Sequence, residues 1–274
     1  NDLLRGNAGD DVLIGGEGDD RLFGGADRDV MTAGAGDDLL VGGKGGDTYV
    51  LDVRLDGNNT IVDKGDAPLS GVYATAKDDI LHLDGFASLT AGMHGLGVQV
   101  SGDDLVLSYT TTSGALGQIT IQGQFLGNRY AIERIALNGI NLATDFHVEA
   151  LSGDNHTFSV HDGADVGGND IILGTSGDDT LYGGIGNNIY LAGGGSDRFI
   201  FEDQEDNRGG LDLIKDFDLT SDVLDFTEIK TLTRAGVSIS DNSHGNAVIS
   251  CIYETIELEG ITAAQVSDSI FLFA

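Results

Sequence analysis

Residues 6–50 read GNAGDDVLI GGEGDDRLF GGADRDVMT AGAGDDLLV GGKGGDTYV, five consecutive nine-residue units. Each approximates G-G-x-G-x-D-x-U-x, with U a large apolar residue. The sixth position is Asp11, Asp20, Asp29, Asp38 and Asp47, and the eighth is Leu13, Leu22, Met31, Leu40 and Tyr49. Asn1–Arg5 fits the end of an earlier unit, with Asp2 and Leu4 in those two positions. A second array, DVGGNDIIL GTSGDDTLY GGIGNNIYL AGGGSDRFI, occupies residues 165–200.

The period dictates a coil. The end of each unit alternates as a short strand does, so the eighth side chain points inward. The glycine-rich start turns sharply. Two units make one full coil, with strands on two opposed faces and turns along two edges. Residues eighteen apart are then stacked neighbours. One edge carries Asp2, Asp20 and Asp38, and the other Asp11, Asp29 and Asp47. In the second array Asp170 stacks with Asn188, and Asp179 with Asp197. The fold class expected is all-β: two parallel β-rolls, a β-rich segment between them and a β-rich carboxy-terminal cap.

Stacked carboxylates repel one another and need a cation between them. Carboxylates beside glycine-turn carbonyls form an oxygen-only cage, which suits a hard ion of flexible coordination such as Ca²⁺ better than Mg²⁺. Zinc or copper would call for His or Cys, and neither array contains a Cys. The stacked pairs leave four gaps in the first array and two in the second, so roughly six calcium ions are expected.

The arrays resemble the repeats-in-toxin (RTX) family of bacterial proteins exported by type I secretion. In that family turn carbonyls and sixth-position aspartates of neighbouring coils hold calcium. The resemblance implies as first-array ligands Asp2; Gly6, Ala8, Asp10 and Asp11; Gly15, Glu17, Asp19 and Asp20; Gly24, Ala26, Arg28 and Asp29; Ala33, Ala35, Asp37 and Asp38; and Asp47. In the second array it implies Asp170; Gly174, Ser176, Asp178 and Asp179; Gly183, Ile185, Asn187 and Asn188; and Asp197. Several positions depart from the pattern. Asn188 offers a neutral oxygen, so its site is expected to be weaker or shifted. Asp27 replaces the fourth-position glycine, which predicts a distorted third turn. Ala33 and Ala192 take the first position, and Asn7, Thr175 and Val166 the second.

Composition agrees. The net charge is −31, from 45 acidic and 14 basic side chains in 274 residues. Such self-repulsion opposes compaction until counter-ions bind, so folding and calcium binding are expected to be one event. No basic patch for nucleic acid survives this balance, and no apolar run reaches the length of a stable membrane insertion. Cys251, the sole cysteine, cannot form an internal disulfide and sits in an alternating strand-like stretch, NAVISCIYETIEL. The chain opens inside a repeat, which predicts an upstream cargo domain on the same polypeptide.

Expected boundaries are 1–50 for the first roll, 51–164 for the intervening domain, 165–201 for the second roll and 202–274 for the cap. In the intervening segment, Leu105, Leu107, Ile119 and Ile121 alternate, and YAIERIALNGINL adds Ile132, Ile135, Leu137 and Ile140 before an Asn-Gly turn. The phrases DTYVLD, GNNTI and YAIERI resemble the module that follows RTX blocks, read here as closing the roll's open end. The loop Ala67–Lys77 could carry a ligand. LDLIKDFDLTSDVLDF resembles the sequence that ends RTX blocks, which makes Asp212 and Asp216 candidate extra ligands. IELEGITAAQVSDSIFLFA is close to the carboxy-terminal export signals of type I secretion, and it also reads as an ordinary terminal strand.

No HExxH helix, GxSxG elbow or Cys/His pair occurs, and repeated acid pairs such as Asp10–Asp11 lack the differentiation of a catalytic dyad. His156 and His161, beside Asp154 and Asp162, fall on opposite strand faces, which argues against a transition-metal site. The function expected is not enzymatic: a secreted or cell-surface, extracellular module that folds on calcium and supports export. The alternative is an adhesin or carbohydrate-binding module with the intervening segment as recognition domain.

Overall fold

The computed structural model describes residues 1–55, 57–63, 79–86, 89–124, 132, 134–137, 146–150, 169–202 and 210–274. They fall in two compact units, Asn1–Asp145 and Phe146–Ala274.

Unit one begins with β1 (Leu3–Ala8), β2 (Val12–Glu17), β3 (Arg21–Ala26), β4 (Val30–Ala35), β5 (Leu39–Lys44) and β6 (Thr48–Asp52). β7 (Asn58–Val62), β8 (Ile80–Asp84), helix α1 (Leu89–Gly95), β9 (Gly97–Ser101), β10 (Asp104–Thr110), β11 (Leu116–Gln122) and β12 (Arg134–Leu137) follow. Odd-numbered repeat strands form one face, ordered β1-β3-β5-β7-β11-β10-β9, and even-numbered ones the other, ordered β2-β4-β6-β8-β12. Pairing within the array is parallel, and Leu4 faces Leu22, Leu22 faces Leu40, Leu13 faces Met31 and Met31 faces Tyr49. The offset is the eighteen residues that two units require.

The coil continues past the last repeat. Leu40 pairs with Ile61 and Ile61 with Ile121, while Tyr49 pairs with Leu81 and Leu81 with Ile135. Two apolar columns thus run from the repeats through non-repeat strands, and every member named beyond Leu4 is buried. At about 25 cal/mol per Å² of apolar surface removed from water, such columns supply the main drive for stacking. β10 and β9 close the first face by antiparallel pairing, with Leu105, Leu107, Ile119 and Ile121 buried as the alternation requires. Helix α1, which buries Met93, was not legible from periodicity because it is barely two turns long. Ala67–Lys77, Ile140 and the Asn-Gly turn before it lie outside the described residues.

Unit two comprises β13 (Phe146–Ala150), β14 (Asn169–Thr175), β15 (Thr180–Leu181), β16 (Ile189–Gly193), β17 (Arg198–Ile200), β18 (Leu211–Ile214) and β19 (Val223–Asp225). β20 (Ser238–Asp241), β21 (Ala247–Ser250), β22 (Thr255–Leu258) and β23 (Phe271–Leu272) complete it. One face is ordered β13-β14-β16-β18-β22-β21-β20 and the other β15-β17-β19-β23. Tyr190 sits between Ile172 and Ile214, and Phe199 between Leu181 and Leu224. Phe201 stacks on Phe226 with ring centroids 5.2 Å apart, and Phe226 continues to Phe271 and Phe273. The terminal segment that resembles an export signal therefore ends as a paired strand with Phe271 buried. Cys251 is half-buried, and burial pushes its thiol pKa up.

Candidate metal centre

The turns between strands hold two ladders of side-chain acceptors. In the first, each sixth-position backbone N–H donates to Oδ1 of the residue stacked on it. Asp11 donates to Asp29 at 2.9 Å, Asp20 to Asp38 at 2.8 Å and Asp29 to Asp47 at 2.9 Å. Asp2 donates likewise to Asp20. The ladder outlasts the repeats, since Asp38 donates to Asn59 at 3.0 Å and Asp47 to Asp79 at 2.7 Å. In unit two the rungs are Asp170 to Asn188 (3.0 Å), Asp179 to Asp197 (2.8 Å), Asn188 to Asp212 (3.1 Å) and Asp197 to Asp222 (3.0 Å).

With Oδ1 of Asp20, Asp29 and Asp38 occupied, the second oxygen decides the chemistry. Oδ2 of Asp11, Asp20, Asp29 and Asp38 is buried with no hydrogen-bond partner. Those of Asp11, Asp20 and Asp29 face the first-position glycines. A Cβ on Gly6 would meet Asp11 Oδ2 at 2.6 Å and the Gly24 carbonyl oxygen at 2.7 Å. One on Gly15 would meet Asp20 Oδ2 at 2.7 Å and the Ala33 carbonyl, and one on Gly24 would meet Asp29 Oδ2. Each of these turns gathers oxygens around a carboxylate oxygen without a donor. Four such atoms at about 1–3 kcal/mol each rival the whole stability of a domain, about 5–15 kcal/mol. A hard divalent cation removes that cost, and the donor set fits calcium.

The electrostatics point the same way. Burial raises the Asp29 and Asp38 carboxyl pKa values above the usual range, opposed by the Asp11 and Asp20 backbone N–H groups and reinforced by neighbouring aspartates. Burial pushes Asp197 up to about 7, with Asp222, Asp179 and Asp216 adding to the shift.

Fifth positions form the second ladder, which the sequence reading assigned only as carbonyl ligands. Asp10 Oδ1 accepts from Arg28 N–H at 3.0 Å, Asp19 from Asp37 at 3.1 Å and Asp37 from Asn58 at 2.7 Å. Asp178 accepts from Ser196 at 2.8 Å and Asn187 from Leu211 at 3.0 Å. Its signal was the doublet Asp-Asp in GDD. Gly6, Ala8, Gly15, Glu17, Gly24, Ala26, Ala33 and Ala35 lie in the turns or strand ends beside these ladders, as do Gly174, Ser176, Gly183 and Ile185.

Two departures keep the turn geometry. Asn7 and Asp27 take φ of 78° and 77°, in the left-handed region that Asn and Asp tolerate. The third turn is therefore preserved despite its missing glycine. Sequence reading missed Asp63 and Asp79, whose carboxylates lie with that of Asp47 within 4.8 Å of one another, all three buried. Asp79-Ile80-Leu81 repeats the D-x-U phrase without its glycines, which was the available clue. Asp216 Oδ1 and Oδ2 accept from the Ala192 and Gly193 N–H groups, both at 2.9 Å. His156 and His161 lie outside the described residues.

The model of the RTX calcium-binding nonapeptide repeat matches residues 1–31, 14–49 and 163–199. These are RTX calcium-binding repeats. The haemolysin-type calcium binding protein related domain matches residues 104–139, the β10–β12 region that completes the RTX coil of unit one. No curated protein matches the chain. Among solved structures it is similar to the extracellular lipase LipA from Serratia marcescens, at 18% identity and a TM-score of 0.29, covering 94% of this chain and 40% of the lipase. It is also similar to the AlgE6R3 subunit of the Azotobacter vinelandii mannuronan C5-epimerase, at 24% identity and a TM-score of 0.21, covering 47% of this chain and 76% of that one. The chain thus spans well under half the length of the lipase. Among the described residues no helix is long and apolar enough to cross a membrane.

Proposed function

We propose that this RTX chain is a calcium-triggered folding module of a larger extracellular protein, exported by a type I secretion apparatus. The observation that carries the reading is the row of buried, unpartnered Oδ2 atoms at Asp11, Asp20, Asp29 and Asp38. Without calcium these oxygens and the net charge of −31 oppose the coil, so the chain stays extended and threadable. Extracellular calcium modules fill in the ~0.1–1 mM range, far above cytosolic levels. Outside the cell, ions bind the folded coil alone and pull the equilibrium over by mass action. Roughly four ions fill the turns of the first array, by the count of stacked pairs. The module's work is folding and support of its cargo, and no reaction is assigned to it.

Small-angle scattering of the full chain tests this. In chelator the radius of gyration is expected near the ~58 Å of an unfolded chain of this length, contracting with calcium towards the ~19 Å of a compact one. A compact radius in chelator would refute the reading.

A further inference from the structure

Among the described residues, the sixth-position carboxylate oxygens that are buried without a hydrogen-bond partner all belong to the first array. Two turns of the second array meet the same need with donors of their own. Thr175, where most units carry glycine, donates its backbone N–H (2.6 Å) and its hydroxyl (2.9 Å) to Oδ2 of Asp179. One unit later, Asn188 brings an amide in place of a carboxylate. Its Oδ1 accepts the Asp170 N–H, and its Nδ2 donates to Asp212 Oδ1 at 2.9 Å. The side chain is fully buried. Beside it, Asn187 Nδ2 donates to Asn169 Oδ1 at 3.1 Å.

The cradle itself has changed. A Cβ on Gly183 would meet the Tyr190 hydroxyl and, at 2.7 Å, Asn188 Nδ2. At Gly6 the same construction meets two oxygens, Asp11 Oδ2 and the Gly24 carbonyl. An amide nitrogen carries hydrogens outward and cannot ligate calcium, and a phenol is a far poorer ligand than a carboxylate.

We propose that two turns of the second array, Thr175–Asp179 and Gly183–Asn188, close with protein hydrogen bonds from Thr175 and Asn188, and with the Tyr190 hydroxyl in the Gly183 cradle. Unit two then folds at lower calcium than unit one, and the Gly183–Asn188 turn takes no ion. The inference rests on the calcium-folding reading above and adds an order to it. As calcium rises, unit two folds first and unit one follows.

Hydrogen exchange of the full chain, read by mass spectrometry along a calcium series that starts in chelator, tests this. Peptides from β14 and β16 are expected to reach half-protection at about tenfold lower calcium than those from β3–β5, the shift that one or two buried hydrogen bonds supply. Asn188→Asp, which removes the amide donor and sets two carboxylates against each other at Asp212, is expected to raise the midpoint of unit two to that of unit one or beyond. A common midpoint for both units, or a later one for unit two, overturns the inference and leaves calcium-triggered folding standing. Protection of both units in chelator overturns calcium-triggered folding itself. If Asn188→Asp stays unprotected at every calcium concentration, the two wild-type midpoints decide alone.

Discussion

Asp20 divides its two oxygens between tasks. Oδ1 accepts the Asp2 N–H and locks the register, while Oδ2 faces the Gly15 turn and the Ala33 carbonyl. The residue is almost fully buried, so its charge is tolerated only beside a cation. Replacing Asp20 and Asp38 by Ala removes carboxylates from one edge together with hydrogen bonds to charged groups worth about 1.5–3 kcal/mol each. The calcium midpoint of unit one is expected to rise tenfold or more. Replacing the exposed Asp103 and Asp241 by Ala, which removes an equal charge, is the control and should leave it unchanged. Equal midpoints for all three chains would remove the edge pairing as the source of calcium dependence. Titration belongs to this scale too. Burial raises Asp197 to about 7, against about 3.9 for an unfolded aspartate. The contribution of this group to the metal-free fold is therefore present below about pH 3.9 and lost as pH rises through about 7. Calcium must displace that proton, so the calcium midpoint is expected to fall between pH 5.5 and pH 8. A flat profile would contradict the burial of this carboxyl in a binding turn.

At the level of strands and turns, the nonapeptide is legible because two of its nine positions carry the physics. The eighth position gives the apolar columns, and the sixth gives the acceptor ladder. Those two constraints predicted the eighteen-residue offset, and Leu22 facing Leu40 is its result. Once the columns pass to Ile61 and Leu81, the offset widens to 21 residues in one and 32 in the other, and pattern reading loses it. Connectors of irregular length leave no period to follow, although the strands they join still alternate. The alternation at Leu105, Leu107, Ile119 and Ile121 was readable for that reason, and the parallel docking of β11 on β7 was not. Fifth-position side chains were undervalued because an exposed Asp in a turn needs no partner. Only the three-dimensional stack reveals the second ladder. Asp63 and Asp79 escaped for the same cause, being brought to Asp47 by connectors rather than by repeats.

For the whole molecule, charge sets the terms. A chain at −31 with 43 glycines and a single proline has little reason to collapse alone. Each calcium ion bound would cancel two of those charges while supplying the missing partners of the buried oxygens. Repulsion and unpartnered acceptors thus act together without calcium and are relieved together with it. That coupling makes the transition cooperative and confines it to oxygen-seeking ions large enough for a flexible cage. The most direct test is far-ultraviolet circular dichroism of the full chain, titrated from chelator with calcium and, separately, with magnesium. The expected result is a coil spectrum in chelator and a cooperative gain of β-signal with calcium that magnesium at equal concentration does not produce. A complete β-spectrum in chelator, or an equal response to magnesium, would contradict calcium-triggered folding.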